Sequence, residues 1–180
     1  MILTISGLHG TGKSTIGKKL AEALGLKYYS TGQAFRDLAA EMNMTLEEFT
    51  KYVENHPQID NKLDTKILEI AKKGDIIIDS QLAGYLLKNV ADFKILLTCP
   101  LKTRVKRMIE RDQESLKEKS KETNLREKSE LERFKNLYNI DLSDKKKAKK
   151  TYDLIIDTED LSIDEVLNKI LSKLKNSFKI

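Results

Sequence analysis

This chain has no tryptophan, a single cysteine, two prolines and two histidines among its 180 residues. A lone cysteine excludes a disulfide framework within the chain and points to a reducing, cytoplasmic setting. Cys99 ends an apolar run, where a small core residue is expected. His9 and His56 need no catalytic role: the first belongs to a loop by position, and the second precedes Pro57 at a turn. No cluster of histidines and acids suggests the metal centre of a hydrolase. No apolar stretch reaches the length of a membrane span, so no membrane partner is expected. The first residues enter a strand pattern directly, without the pattern of a signal peptide. The net charge of +5 comes from 33 basic and 28 acidic residues, and the surplus sits mainly in lysine runs at 117–121 and 145–150. Those runs lack interleaved aromatics, so they read as solvated surface and no nucleic-acid partner is expected. The length suits one domain, expected to act as a monomer.

What is present is concentrated near the start. The apolar run Ile2-Leu3-Thr4-Ile5 leads into Gly7-Leu8-His9-Gly10-Thr11-Gly12-Lys13-Ser14-Thr15. This is a G-x-x-x-x-G-K-[ST] loop between a strand pattern and a helix pattern, which makes these nine residues the candidate ATP site. The glycines let backbone N–H groups turn inward around phosphate oxygens. Lys13 places charge on the β/γ-phosphates, and Ser14 supplies a hydroxyl for Mg²⁺. The positive end of the following helix adds to the field.

Short apolar runs alternate with helical stretches along the rest of the chain. The patterns predict strands at 2–6, 27–29, 75–78, 94–98 and 154–156. They predict helices at 13–24, 33–42, 46–55, 62–73, 101–112, 123–138 and 163–174. Thr45 with Glu48, and Ser162 with Glu165, have the spacing of capping boxes. Near-continuous apolar strands such as Ile76-Ile77-Ile78 imply a buried parallel sheet, hence an α/β fold. Two segments, about 30–73 and 113–150, break the alternation and are expected to cover the phosphate site as insertion and lid.

Arginine is scarce, with six among the 33 basic residues, and five of the six fall between 104 and 133. Arg104, Arg107 and Arg111 share one helical face by their i, i+3, i+7 spacing; Arg126, Glu130 and Arg133 share another. Guanidinium forks match phosphate oxygens bidentately, as ammonium groups do not, and two approaching phosphates need such compensation. Surface ion pairs with Glu110, Glu127, Glu130 and Glu132 are the alternative, above all for Arg104. Asp79 ends the third strand pattern, at the edge where a doubly wound sheet holds ligands, and is a candidate Mg²⁺ partner with Ser14.

Taken in order, these residues resemble the nucleoside monophosphate kinases, most closely the short archaeal type of cytidylate kinase. The likeness runs from the loop through Ser30-Thr31-Gly32 and Phe35-Arg36 to Asp79-Ser80-Gln81-Leu82-Ala83-Gly84. It continues through Arg126-Glu127, Glu130, Arg133, Tyr138, Ile140 and Asp141 to the run Leu154–Thr158 that leads to a loop beside adenine. The resemblance implies a three-layer α/β/α fold with a five-stranded parallel sheet, a nucleotide-binding helical insertion and a helical lid. It divides the domain into a core (1–29, 74–112, 151–180), an insertion (30–73) and a lid (113–150). It implies Mg·ATP and CMP or dCMP as substrates. Ser30, Gly32, Arg36, Gln81, Arg126, Glu130 and Arg133 would hold CMP. Lys13, Arg126 and Arg133 would be catalytic, and Arg107 and Arg111 would contact ATP. Two positions depart from the family pattern: Gln81 stands where an arginine is expected, and Leu8 and His9 replace prolines. Another acceptor, such as AMP, UMP or a small metabolite like shikimate, remains open on the residues alone. So does a nucleic-acid-stimulated ATPase.

Overall fold

The computed structural model describes residues 1–112 and 116–178. In chain order the elements are β1 (Ile2–Ser6), α1 (Lys13–Leu24), β2 (Lys27–Ser30), α2 (Thr31–Glu41), α3 (Leu46–Glu54) and α4 (Gln58–Ala71). There follow β3 (Ile76–Asp79), α5 (Ala83–Leu86), β4 (Phe93–Thr98), α6 (Leu101–Asp112), α7 (Leu116–Tyr138), α8 (Lys145–Thr151), β5 (Leu154–Asp157) and α9 (Ile163–Phe178). All strand pairs are parallel, and the sheet order is β2-β3-β1-β4-β5.

The strands are apolar because helices cover both faces. In β3, Ile77 points to one face and packs with Leu3, Ile5, Ile95 and Leu97 against Ile16 and Leu20 of α1 and Val166, Ile170 and Leu174 of α9. Ile76 and Ile78 point to the other face, against Ile67 and Ala71 of α4 and Ala83 and Leu87 around α5. The period of two therefore persists inside a run of isoleucines. Buried Gly17 lets α1 approach the sheet: a Cβ there would lie 2.6 Å from the Tyr28 ring.

The parallel register aligns the carboxyl ends of the strands. Ser30 pairs with Asp79, Ile5 with Asp79, and Thr98 with Asp157, so polar residues collect along one edge. There the glycine loop opens, in the crevice where such sheets hold ligands. Both capping boxes form: Thr45 with Glu48 on α3, and Ser162 with Glu165 ahead of α9.

Several expectations need correction. Helix α4 begins at Gln58 rather than residue 62, because Pro57 is tolerated at a helix start. Two short helices, α5 and α8, went unpredicted. The lysine-rich α8 is capped by Asp144, whose side chain accepts from Lys147 N–H, and it buries Ala148 beside Tyr85 and Tyr152. Tertiary packing of one alanine decides this segment, which has little amphipathic signal. The run at 117–121 is not wholly solvated, since Lys119 is buried and its ammonium donates to Glu122 at 2.8 Å. Cys99 is only half-buried and lies 3.6 Å from an Arg107 nitrogen, outside the apolar clusters.

Candidate active site

The glycine loop turns where only glycine fits. Gly7, Gly10 and Gly12 have φ of 148°, 78° and 94°. A Cβ on Gly10 would come within 2.6 Å of the Arg104 carbonyl oxygen, so α6 presses against the outside of the loop. Lys13 Nζ donates to the Leu8 carbonyl at 2.9 Å, spanning the loop. Burial pulls its ammonium below the ordinary lysine range, with Asp79 opposing.

At the strand edge, Asp79 is only 2% exposed. Its Oδ2 accepts from Ser14 Oγ at 2.7 Å, Tyr28 OH at 2.7 Å and Ser30 Oγ at 3.3 Å. Burial, then Asp79, pushes the Tyr28 phenol well above its usual range, so Tyr28 stays a donor and orients the carboxylate. Hydroxyl and carboxylate are hard oxygen donors, suited to a Mg²⁺ ion that keeps water and phosphate ligands. Among the described residues no group of three His, Cys, Asp or Glu side chains could hold a metal.

The loop faces a cavity of about 1280 Å³. Single small-molecule sites run to about 300–1,000 Å³, so this one has room for two ligands. His9 to Thr15 line it, with Ser30, Gly32, Arg36, Asp79, Gln81, Arg107, Arg126, Glu130 and Arg133. Gly7 and Leu8 instead face a smaller cavity of about 120 Å³ on the other side of the loop. Sequence reasoning placed Arg111 here too; its side chain lies outside the described residues.

The arginines divide by role. Arg104 is 4% exposed and structural: it donates to the carbonyls of Cys99 and His9 and pairs with Glu127 of α7. Of the ion pairs expected as the alternative, Arg104–Glu127 and Arg126–Glu130 form, but the first is buried and the second largely so, rather than on the surface. Arg107 reaches across to Thr158 Oγ1 at 3.0 Å and to the Thr158 carbonyl, bridging α6 to the loop after β5. Arg36 donates from Nη2 to Gln33 Oε1 at 2.8 Å on its own helix. Arg126 donates from Nε to Glu130 at 3.0 Å and lies 5.5 Å above the Phe35 ring, a cation–π contact between α7 and α2. Arg133 donates to Asp60 Oδ2 at 3.0 Å and to Ser129 Oγ at 2.9 Å.

His9 is more than a spectator of the loop. Its Nε2 lies 2.6 Å from Glu130 Oε2, and Gln81 Nε2 donates to the same oxygen at 2.6 Å. Burial draws the His9 pKa down from its ordinary value, while Glu130 opposes that shift. Burial alone would raise the Glu130 carboxyl, but His9, Arg126 and Gln81 outweigh it and hold Glu130 ionised. Gln81 Oε1 and Thr31 Oγ1 are buried without a partner among the described residues. Asp60, Asp64 and Tyr28 also lie at or beside the cavity and were not expected from the sequence. Only Asp60 and Asp64 carried a legible signal, acids four apart on a stripe shared with Leu63 and Ile67.

Fold and site together define a small-kinase type of P-loop protein. Shikimate kinase from Acinetobacter baumannii, solved with shikimate, shares the fold at a TM-score of 0.62 and 15% identity, over 98% of this chain and 94% of that one. Shikimate kinase from Aquifex aeolicus gives 0.60 and 14%, over 99% of both chains. Within that class, the chain belongs to the cytidylate kinase-like family, whose pattern matches residues 2–160. The cytidylate kinase of Methanocaldococcus jannaschii is 41% identical over 179 residues, covering 98% of both chains. That of Pyrococcus horikoshii is 43% identical over 158 residues, 88% of this chain and 80% of its own. No helix among the described residues is long and apolar enough to cross a membrane.

Proposed function

We propose that this protein transfers the γ-phosphoryl group of Mg·ATP to CMP or dCMP, giving ADP and CDP or dCDP. The observation that carries the reading is a single cavity holding the glycine loop, Asp79 and four arginines, in a chain about 40% identical to cytidylate kinases along its length. The acceptor phosphate is a dianion above its second pKa of about 6, so its oxygen attacks the γ-phosphorus without a general base. The bond from the γ-phosphorus to the bridging oxygen breaks, and ADP leaves with the electron pair.

The protein supplies alignment and charge. Backbone N–H groups from Gly10 to Thr15 cradle the ATP phosphates. Lys13 exchanges the Leu8 carbonyl for a β/γ oxygen. Arg107, held at Thr158, flanks the adenine side. Ser14 and Asp79 would hold Mg²⁺, which would neutralise part of the triphosphate charge. Arg36, Arg126 and Arg133 receive the acceptor and the transferred group, with Ser30, Gly32, Gln81 and Glu130 shaping the acceptor site. Residues 30–73 act as the acceptor-binding insertion and 113–150 as a lid, in a monomer of the cytoplasm. Incubation with Mg·ATP and each nucleoside monophosphate in turn tests the reading: CDP and dCDP are expected, and a diphosphate product from AMP or UMP alone would overturn it. Hydrolysis stimulated by RNA or DNA with no nucleotide product would favour an ATPase.

A further inference from the structure

A pocket built for phosphates has no use for bare carboxylates, yet α4 turns two of them into the cavity. Its inward stripe reads Asp60, Leu63, Asp64 and Ile67, and the first three line the cavity. Packing alone calls for apolar residues at every such position. Asp60 has a cation, since Arg133 Nε sits 3.0 Å from it. Among the described residues Asp64 has no cation, and its one hydrogen-bond partner is Tyr138, whose hydroxyl donates to Oδ2. Among the described residues nothing donates to its Oδ1.

The surroundings indicate what completes Asp64. The phosphates belong at the loop and the arginines, so the rest of the acceptor extends towards the insertion. Phe35, Leu46, Leu63 and Phe134 give that end apolar walls, which suit a flat ring. A half-buried carboxylate with a spare oxygen, beside such walls, seeks an N–H donor on the ring's edge. Cytosine offers its exocyclic amino group there, and carboxylates accept from it well; uracil offers a carbonyl oxygen at the same place. Carboxylate facing carbonyl leaves two acceptors opposed and unsatisfied. We propose that Asp64, braced by Tyr138, selects cytosine over uracil by accepting a hydrogen bond from the exocyclic amino group of the acceptor base. This rests on the nucleotide-kinase reading above and adds the residue that reads the base.

The test measures kcat/KM for CMP, dCMP and UMP with saturating Mg·ATP, on the full chain. If the unaltered chain phosphorylates no CMP, the kinase reading fails before Asp64 is at issue. Given that activity, Asp64→Asn should lower the CMP value about tenfold or more and leave UMP unchanged or improved, because an amide can donate to the uracil oxygen. ATP KM should not move. Tyr138→Phe keeps the acid but frees it, and should shift the CMP-to-UMP ratio in the same sense by a smaller factor. Equal losses for CMP and UMP would mean a structural role and overturn the proposal. So would a changed CMP-to-dCMP ratio with an unchanged CMP-to-UMP ratio, which would place Asp64 on the ribose. Should Asp64→Asn fail to fold, Asp64→Ser replaces it with the same ratio as readout.

Discussion

Lys13 and Arg104 are both cations at the glycine loop, but they act on different things. Among the described residues Lys13 donates only to a loop carbonyl, a bond it can trade for a phosphate oxygen. Lys13→Ala should therefore reduce kcat by about 10²–10³ or more, the scale of losing a group aimed at developing charge. Transfer within about tenfold of the unaltered chain would refute that role. Arg104 binds the loop from behind, through the His9 carbonyl at 2.8 Å, and is paired with Glu127. Arg104→Ala leaves that carboxylate buried and alone. The expected cost is about 3–5 kcal/mol of folding stability, read from the urea midpoint. A midpoint that does not move would show that Glu127 finds water instead.

Among the elements, α7 joins the glycine loop to the helices that wall the cavity. It meets the glycine loop through Glu130 and His9, α6 through Glu127 and Arg104, α3 through Ser129 and Glu54, and α4 through Arg133 and Tyr138. The last of these contacts has a pH signature. Burial raises Asp64 from an ordinary 3.8 to about 6. A folded-state pKa above the unfolded one means that proton uptake favours the folded chain. The contribution is complete below about pH 4 and fades as pH rises through 6. Thermal unfolding of the unaltered chain and of Asp64→Asn should show this. The gap in favour of the aspartate should be wider at pH 4.5 than at pH 7, and a constant gap would contradict the raised pKa.

At the level of the whole molecule, the sheet is a rigid floor and α2–α4 with α7 form the walls of the cavity above it. Two anionic substrates must be enclosed before water is, so binding both should draw the walls together. A bisubstrate analogue should protect the α7 region, Leu116–Tyr138, from limited proteolysis. Equal cleavage with and without it would argue against closure. How much of this was legible follows from the kind of signal each part carries. The glycine loop, the strand alternation and the clustering of arginines are local in sequence, because turn geometry and side-chain period are set within a few residues. The amino acids alone thus determined the five strands, the phosphate loop and the family. Which carboxylates Arg104 and Arg133 meet, that His9 and Gln81 converge on Glu130, and that Asp60 and Asp64 line the cavity were decided only by the tertiary structure. Those partners lie tens of residues apart, and a charge has no role until folding brings its opposite within a few ångströms and strips away the water between them.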